Sequence, residues 1–365
     1  MICYNYKPNE VFMMKFMFAR DAADKWGISQ RQVIELCSEN RINNAVMVDN
    51  IWNIPTDAEI PIDIISKSDG KAVKPFLKWA GGKSQLLKEI EKYYYFENKK
   101  ITKYAEPFVG GGAVLFDILS KYDLKEVYIS DINRELINTY CVVREAANEL
   151  IDILFKLQRE YIPLDMDKRK EYYIVKRERF NFLKIHGNGT LDIEKAALMI
   201  FLNKTCFNGL FRVNKKGLFN VPMGAYKNPL ICDKENLCAV SEKLKNVNIV
   251  CGDYKKSYNF IDEHTFVYID PPYRPITETA SFTAYTENLF SDDEQIRLAE
   301  FVDGLNKKGA RVVISNSDPK NSNADDDFFE NIYAKYKIKR VEASRMINSN
   351  SKARGKIKEL LISNF

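Results

Sequence analysis

The sequence predicts an α/β protein, a Rossmann-like doubly wound sheet carrying one inserted, mostly helical subdomain and preceded by a small helix-turn-helix unit. Three observations predict it. Short apolar strands alternate with helical patterns from Lys74 onward, which is the pattern of a mostly parallel sheet. The alternation breaks once, between Ile151 and Pro229, where a basic helical stretch ends in a Gly/Asn-rich segment. Upstream, a helix-turn-helix pattern closes before a stretch with Pro61, Ser66, Ser68, Asp69 and Gly70 and no lasting periodicity.

Taken in order, residues 15–55 form the first unit. Ala19 to Trp26 reads as a helix, Gly27-Ile28-Ser29 as a tight turn, and Gln30 to Cys37 as a second helix. Ser29 is placed to cap the second helix, with Gln32 at the reciprocal position. Ile42 to Pro55, including Trp52-Asn53-Ile54-Pro55, is expected to form a small wing. Residues 56–73 read as a linker, and Met13 or Met14 is an alternative start. The main domain spans 74–365. Its strands are expected at Tyr104–Glu106, Val127–Ser130, Val247–Val250, Phe266–Ile269 and Arg311–Ile314. Helices are expected at Gly112–Ser120, Glu135–Gln158 and Asp292–Leu305, the last from Ile296, Ala299, Phe301, Val302 and Leu305 at helical spacing. The insert lies at about 150–230.

Composition narrows the class. The chain has 365 residues, 45% hydrophobic and 29% charged, as in ordinary globular proteins. No apolar run reaches the roughly 18 to 20 residues that span a bilayer, and the start lacks the pattern of a secretory signal. Seven cysteines, an odd number with no CxxC pair, point to reduced thiols in a cytoplasmic protein and away from a disulfide framework or a metal site. His186 and His264 are isolated and read as packed or solvated side chains. Net charge is only +5, but Ile151 to Leu230 holds fifteen Lys/Arg against eight Asp/Glu. Lys339 to Lys358 holds seven basic residues against one acid, Glu342. Such patches suit a phosphate backbone or, equally, a solvated face.

The sharpest motif is Asp270-Pro271-Pro272-Tyr273, directly after the strand Phe266–Ile269. Two prolines end the strand and hold the tetrad at a sheet end. A ring-conjugated amino group such as that of adenine is a poor nucleophile, because its lone pair is delocalised. A carboxylate and a backbone carbonyl accepting its two N–H bonds, here Asp270 and the Pro271 carbonyl, would localise that pair. Tyr273 is suited to stack on an extruded base. The second motif is Glu106-Pro107-Phe108-Val109-Gly110-Gly111-Gly112, whose glycines permit close backbone approach at a helix N-terminus. It is neither a dinucleotide fingerprint nor a P-loop. Some 20 residues on, Asp131 ends the next strand, where an acid can bind a ribose hydroxyl pair. The third, Phe76-Leu77-Lys78-Trp79-Ala80-Gly81-Gly82-Lys83, is by itself only a loop with a basic end.

In this order and spacing the motifs resemble the Dam-like family of DNA adenine-N6 methyltransferases over about Lys74 to Phe365. The resemblance implies S-adenosylmethionine as cofactor and no metal. It implies cofactor contacts from Trp79, Lys83, Glu106, Pro107, Phe108, Gly110, Asp131, Asp253, Tyr254 and Asp270. Catalysis would fall to Asp270, Pro271, Pro272 and Tyr273. The segment Asn203 to Asn214 with Gly217 to Gly224 resembles the recognition segment of GATC-modifying members. It implies DNA contacts from Lys78, Phe207, Asn208, Leu210, Arg212 and Pro222, with Arg212 on a guanine edge or, alternatively, on a phosphate. Thr205-Cys206 departs from that pattern. Ser344 to Ser363 looks like the family's closing hairpin with a basic loop. Asn316 follows the strand ending at Ile314 and is given no chemical role. The first unit resembles excisionase- and MerR-like modules, which implies Gln30, Arg31 and Gln32 in a major groove; a packing or protein-contact domain is the alternative. The expected partners are double-stranded DNA and a cognate restriction endonuclease sharing the site without a stable complex. An RNA methyltransferase and a DNA-binding transcriptional regulator are the alternatives.

Overall fold

The computed structural model describes residues 15–26, 30–49, 51–59, 73–79, 81–96, 100–187, 191–274, 290–344 and 356–365. The chain divides into two compact units, Met1–Lys71 and Ala72–Phe365.

In the first unit a three-stranded antiparallel sheet, in the order β1-β3-β2, accompanies two helices. The strands are β1 (Phe16–Phe18), β2 (Val46–Val48) and β3 (Ile51–Pro55); the helices are Ala19–Trp26 and Gln30–Ser38. Strand β1 is an addition to the expected wing: Met17 pairs with Ile54 and Phe18 with Asn53, so β3 is tied back to the residues just before the first helix. Ala22, Val33, Leu36 and Ile54 close a small core. The expected turn and its Ser29 cap lie outside the described residues.

The second unit is built on a seven-stranded sheet in the order β6-β5-β4-β7-β8-β10-β9. Its strands are β4 (Lys103–Glu106), β5 (Glu126–Asp131), β6 (Val247–Cys251), β7 (Thr265–Ile269), β8 (Arg311–Ser317), β9 (Lys337–Ser344) and β10 (Lys356–Ser363). The first five run parallel, and β10 is antiparallel to both its neighbours. Every residue of β7 is buried, the continuous apolar run of a strand covered on both faces. Two core clusters lie on the two faces: Tyr104, Ile129, Phe266, Tyr268 and Leu361 in one, Ala105, Val267, Ile269, Val312 and Leu360 in the other. From β4 the chain winds outward through β5 to β6, then returns to the other side of β4 as β7. The strand order therefore reverses between β4 and β7, and ligands on such sheets sit beyond the C-terminal strand ends at that reversal.

The long helix expected over Glu135–Gln158 is two helices, Arg134–Glu145 and Ala147–Tyr161. Ala146 leaves helical geometry (φ −139°, ψ 42°), and neither glycine nor proline marks the break in sequence. The helices Met166–His186 and Ile193–Thr205 follow, then Lys234–Leu244 after the Gly/Asn-rich segment. Asp165, Asp192 and Asp233 each cap the helix they precede, their side chains accepting from a first-turn amide. Ile193–Thr205 is buried over most of its length, and Ala196 to Leu202 belong to the same cluster as Tyr104 and Ile129. The basic stretch thus shares the core of the sheet.

Candidate active site

Three loops converge at the strand reversal. The first follows β4. Glu106, 2% exposed, ends the strand and accepts a 2.7 Å hydrogen bond from Tyr104 Oη. Pro107 packs inward, its carbonyl accepting from Ser130 Oγ. Gly110 (φ 48°) and Gly112 (φ 72°) adopt left-handed conformations that glycine reaches without cost. The need for glycine comes from within the protein. A Cβ on Gly110 would lie 2.8 Å from Trp79 Cδ1, and one on Gly111 would lie 2.9 Å from Trp79 Cβ. The indole rests on this backbone and stacks on Phe211 at 5.5 Å on the other side.

The second loop follows β5. Asp131 turns back onto the glycine loop: Oδ2 accepts from the Gly110 amide at 3.1 Å and Oδ1 from the Asn133 amide at 2.9 Å. Burial raises its pKa, and those amides oppose the rise. Beside it, Phe108 stacks on Tyr254 at 5.4 Å, and Phe301 meets Tyr254 edge-on. Asp253 caps the short turn that begins at Tyr254, accepting from the Lys255 amide.

The third loop follows β7. Lys83, 4% exposed, places Nζ 2.8 Å from Asp270 Oδ2, 2.6 Å from the Gly81 carbonyl and 4.8 Å from the centroid of the Tyr273 ring. Burial pushes the Asp270 carboxyl up to about 6 although Lys83 pulls it down. Glu106 is pushed up to about 8, chiefly by burial, with the Tyr104 hydrogen bond opposing and the Asp270 charge adding. Tyr273 Oη donates to Glu359 Oε2 at 2.7 Å. The Pro272 carbonyl accepts from Gln295 Nε2, and Gln295 Oε1 accepts from the buried Asn316. Arg274 forks onto Asp292 through two hydrogen bonds and reaches Asp326 with a third, its guanidinium 4.3 Å from the Phe328 ring centre. The tetrad is therefore held on both sides.

The recognition candidates gather on one surface. Phe207, Asn208, Arg212 and Pro222 are exposed, and Leu210 is half-buried. The Phe207 amide donates to the Pro222 carbonyl, and Arg212 Nε donates to Asn220 Oδ1. Buried Asn203 connects this segment to the Lys78 loop: its Oδ1 accepts from the Lys78 amide, and its Nδ2 donates to the carbonyls of Lys78 and Gly209. The Lys78 side chain lies across Gly209, where a Cβ would meet it at 2.5 Å. Gln30 is exposed at the start of its helix in the first unit; the side chains of Arg31 and Gln32 lie outside the described residues.

The sequence assigned no role to the supports Asn203, Phe211, Arg274, Gln295, Asn316 and Glu359. Each acts on a partner more than 20 residues away, so no local motif contains the pair. Among the described residues no cluster of His, Cys, Asp and Glu is placed to hold a metal ion, and no helix is long and apolar enough to cross a membrane.

A family model described as D12 class N6 adenine-specific DNA methyltransferase matches residues 79–347. The chain is 51% identical over 296 residues to Type II methyltransferase M.MjaIII of Methanocaldococcus jannaschii, covering 80% of this chain and 99% of that one. It is 38% identical to Type II methyltransferase M1.LlaDCHI of Lactococcus lactis, covering 80% and 96%. It is 35% identical to the DNA adenine methylase of Escherichia coli K12, covering 80% and 95%. With this agreement across almost the whole of each relative, the chain belongs to the D12 class of N6 adenine-specific DNA methyltransferases.

Proposed function

We propose that this chain methylates N6 of an adenine extruded from duplex DNA, at GATC, as the modification enzyme of a restriction-modification system. The observation that carries the reading is that the Asp270–Tyr273 tetrad and the Asp131–Gly110 loop follow the C-terminal ends of the neighbouring parallel strands β7, β5 and β4, at one strand reversal. The tetrad is suited to receive the base. Asp270 would accept one N–H of the amino group and the Pro271 carbonyl the other. Tyr273 would stack on the ring, while Pro272, its carbonyl engaged by Gln295, keeps the turn rigid. Positioning and preorganised acceptors then supply the catalysis.

The residues present fit S-adenosylmethionine. Asp131 offers carboxylate oxygens at a strand end for the ribose hydroxyls. Phe108 and Tyr254 supply apolar faces for the adenine, with Asp253 at the rim. Glu106 is a buried acid with one neutral side-chain donor, suited to the amino-acid end of a cationic ligand together with Pro107 and Gly110. When bound, this cofactor supplies an electrophilic methyl group. Trp79 would act through its seat on Gly110 and Gly111. Lys83, held by Asp270, the Gly81 carbonyl and the Tyr273 ring, would contact the cofactor from the side of the tetrad.

The exposed Arg212, with Lys78, Phe207, Asn208, Leu210 and Pro222, would read the target sequence, and the first unit, through Gln30 and Arg31, would add contacts to flanking DNA. GATC rests on the resemblance of residues 203–224 to GATC-modifying relatives. A restriction-modification role is supported by two relatives named Type II methyltransferases. The test is long-read modification mapping of DNA from a methylation-deficient host expressing this chain. N6-methyladenine confined to GATC is expected. Another adenine motif would remove the assignment of the recognition segment, and no methyladenine with folded protein present would remove the whole reading.

A further inference from the structure

We propose that Glu359 is a positioning residue that locks the ring of Tyr273 through its hydroxyl, a role resting on the reading of 270–273 as the tetrad that receives the adenine. Three features of the fold carry it. First, β10 runs antiparallel to β8, so its early residues lie at the edge where β7 and β8 end; Glu359 pairs with Ser317, the last residue of β8. Second, side chains alternate along a strand. Leu360 and Ile362 enter one core cluster and Leu361 the other, so Glu359 shares the face of Leu361, the face that also carries Tyr268 and Phe266. Third, from that place Glu359 Oε2 accepts the Tyr273 hydroxyl at 2.7 Å.

A stacking ring needs its plane fixed, and a tyrosine held only at Cβ keeps a soft rotation about its side-chain bonds. The Glu359 bond fixes the far end of the ring. The Lys83 ammonium lies 4.8 Å from the ring centre and is itself held by Asp270 and the Gly81 carbonyl. Asp270, Lys83, Tyr273 and Glu359 thus form one chain of contacts, from the acceptor of the amino group to the platform for the ring. A charge-assisted hydrogen bond from a phenol to a carboxylate is among the stronger ones available for this purpose.

The test is a double-mutant cycle on the full chain with Tyr273→Phe, Glu359→Ala and their combination. The substrate is a duplex carrying the site mapped for the wild type. Readouts are the single-turnover methylation rate at saturating S-adenosylmethionine, the emission of the same duplex with 2-aminopurine at the target position, and cofactor affinity. Each single variant is expected to lower the rate and the 2-aminopurine emission together, the rate by roughly tenfold. The double variant should be no slower than the slower single, and cofactor affinity should stay at the wild-type value. Glu359→Gln, which keeps an acceptor oxygen, should recover most of the rate. Multiplying losses in the double variant, a wild-type rate in Tyr273→Phe, or equal damage from Gln and Ala at 359 would each overturn the proposal. Tyr273→Phe removes only a hydroxyl, so it keeps the test decisive should Glu359→Ala fail to fold. A wild-type chain that methylates no duplex would instead remove the reading of the tetrad itself.

Discussion

The Lys83 ammonium sits 2.8 Å from the Asp270 carboxylate, joining a loop that precedes the first strand of the sheet to the end of its central strand. Its charge opposes the upward shift that desolvation imposes on both the half-buried Asp270 and the buried Glu106. The carboxylate proposed to accept an incoming amino group is therefore already paired. Binding of the base must exchange one donor for another at Asp270, or share the carboxylate between its two oxygens.

Acid should switch the reaction off near pH 6. Burial raises the Asp270 carboxyl from its ordinary value to about 6, so the carboxylate prevails above that pH and is lost below it. The single-turnover rate is expected to fall as pH drops through about 6. Lys83→Met removes the opposing charge and should move that midpoint upward, lowering the rate at pH 7. A profile flat to pH 5 in the wild type would contradict the role given to Asp270.

Glu106 should couple cofactor binding to proton release. With its carboxyl pushed up to about 8, the free protein holds it protonated at pH 7, and a cationic ligand beside it favours ionisation. Calorimetry at pH 7 in buffers of different ionisation enthalpy should detect the released proton. The sign for stability follows from the raised value: the contribution of this group is present below about pH 4.5 and lost as pH rises through 8. Glu106→Gln should therefore melt higher than the wild type at pH 8 while binding cofactor more weakly.

Gly110→Ala should disturb Trp79. The added methyl would lie 2.8 Å from the indole at a residue with φ 48°, so both strain and a clash apply. A loss of about 1–3 kcal/mol in stability is expected, together with a change in Trp79 emission. Trp79 is the only tryptophan after residue 71, so replacing Trp26 and Trp52 by Phe isolates its signal. Unchanged emission would mean that the indole is not held by the glycine run.

Arg212→Ala should separate sequence reading from backbone contact. The side chain is exposed and its bond to Asn220 is on the surface, so melting should be unchanged. As a reader of guanine it would cost about 1–3 kcal/mol for the target site, and little for unrelated DNA, measured by competition binding. An equal loss on both, with a shallower salt dependence, would make it a phosphate contact.

The alternation of strands and helices, and the motifs at 76–83, 106–112, 131 and 270–273, lie within short windows, and a window carries what local chemistry needs: a proline pair ending a strand, or glycines at positive φ. All five expected strands are present with ends shifted by three residues or fewer. The break at Ala146 and the strand β1 were not legible. Tertiary packing decides the first, and pairing with a strand some 37 residues away decides the second.

By itself the sequence determined the class of sheet and the family, because these follow from hydrophobic period and from motifs a few residues long. Only the tertiary structure decided who holds whom. It seated Trp79 on Gly110, turned Lys83 toward Asp270, tied Lys78 to Gly209 through Asn203, and brought Glu359 to Tyr273 across 86 positions. An antiparallel strand added to a parallel sheet delivers its first residues to the edge where the others end. Sequence distance carries no trace of that meeting.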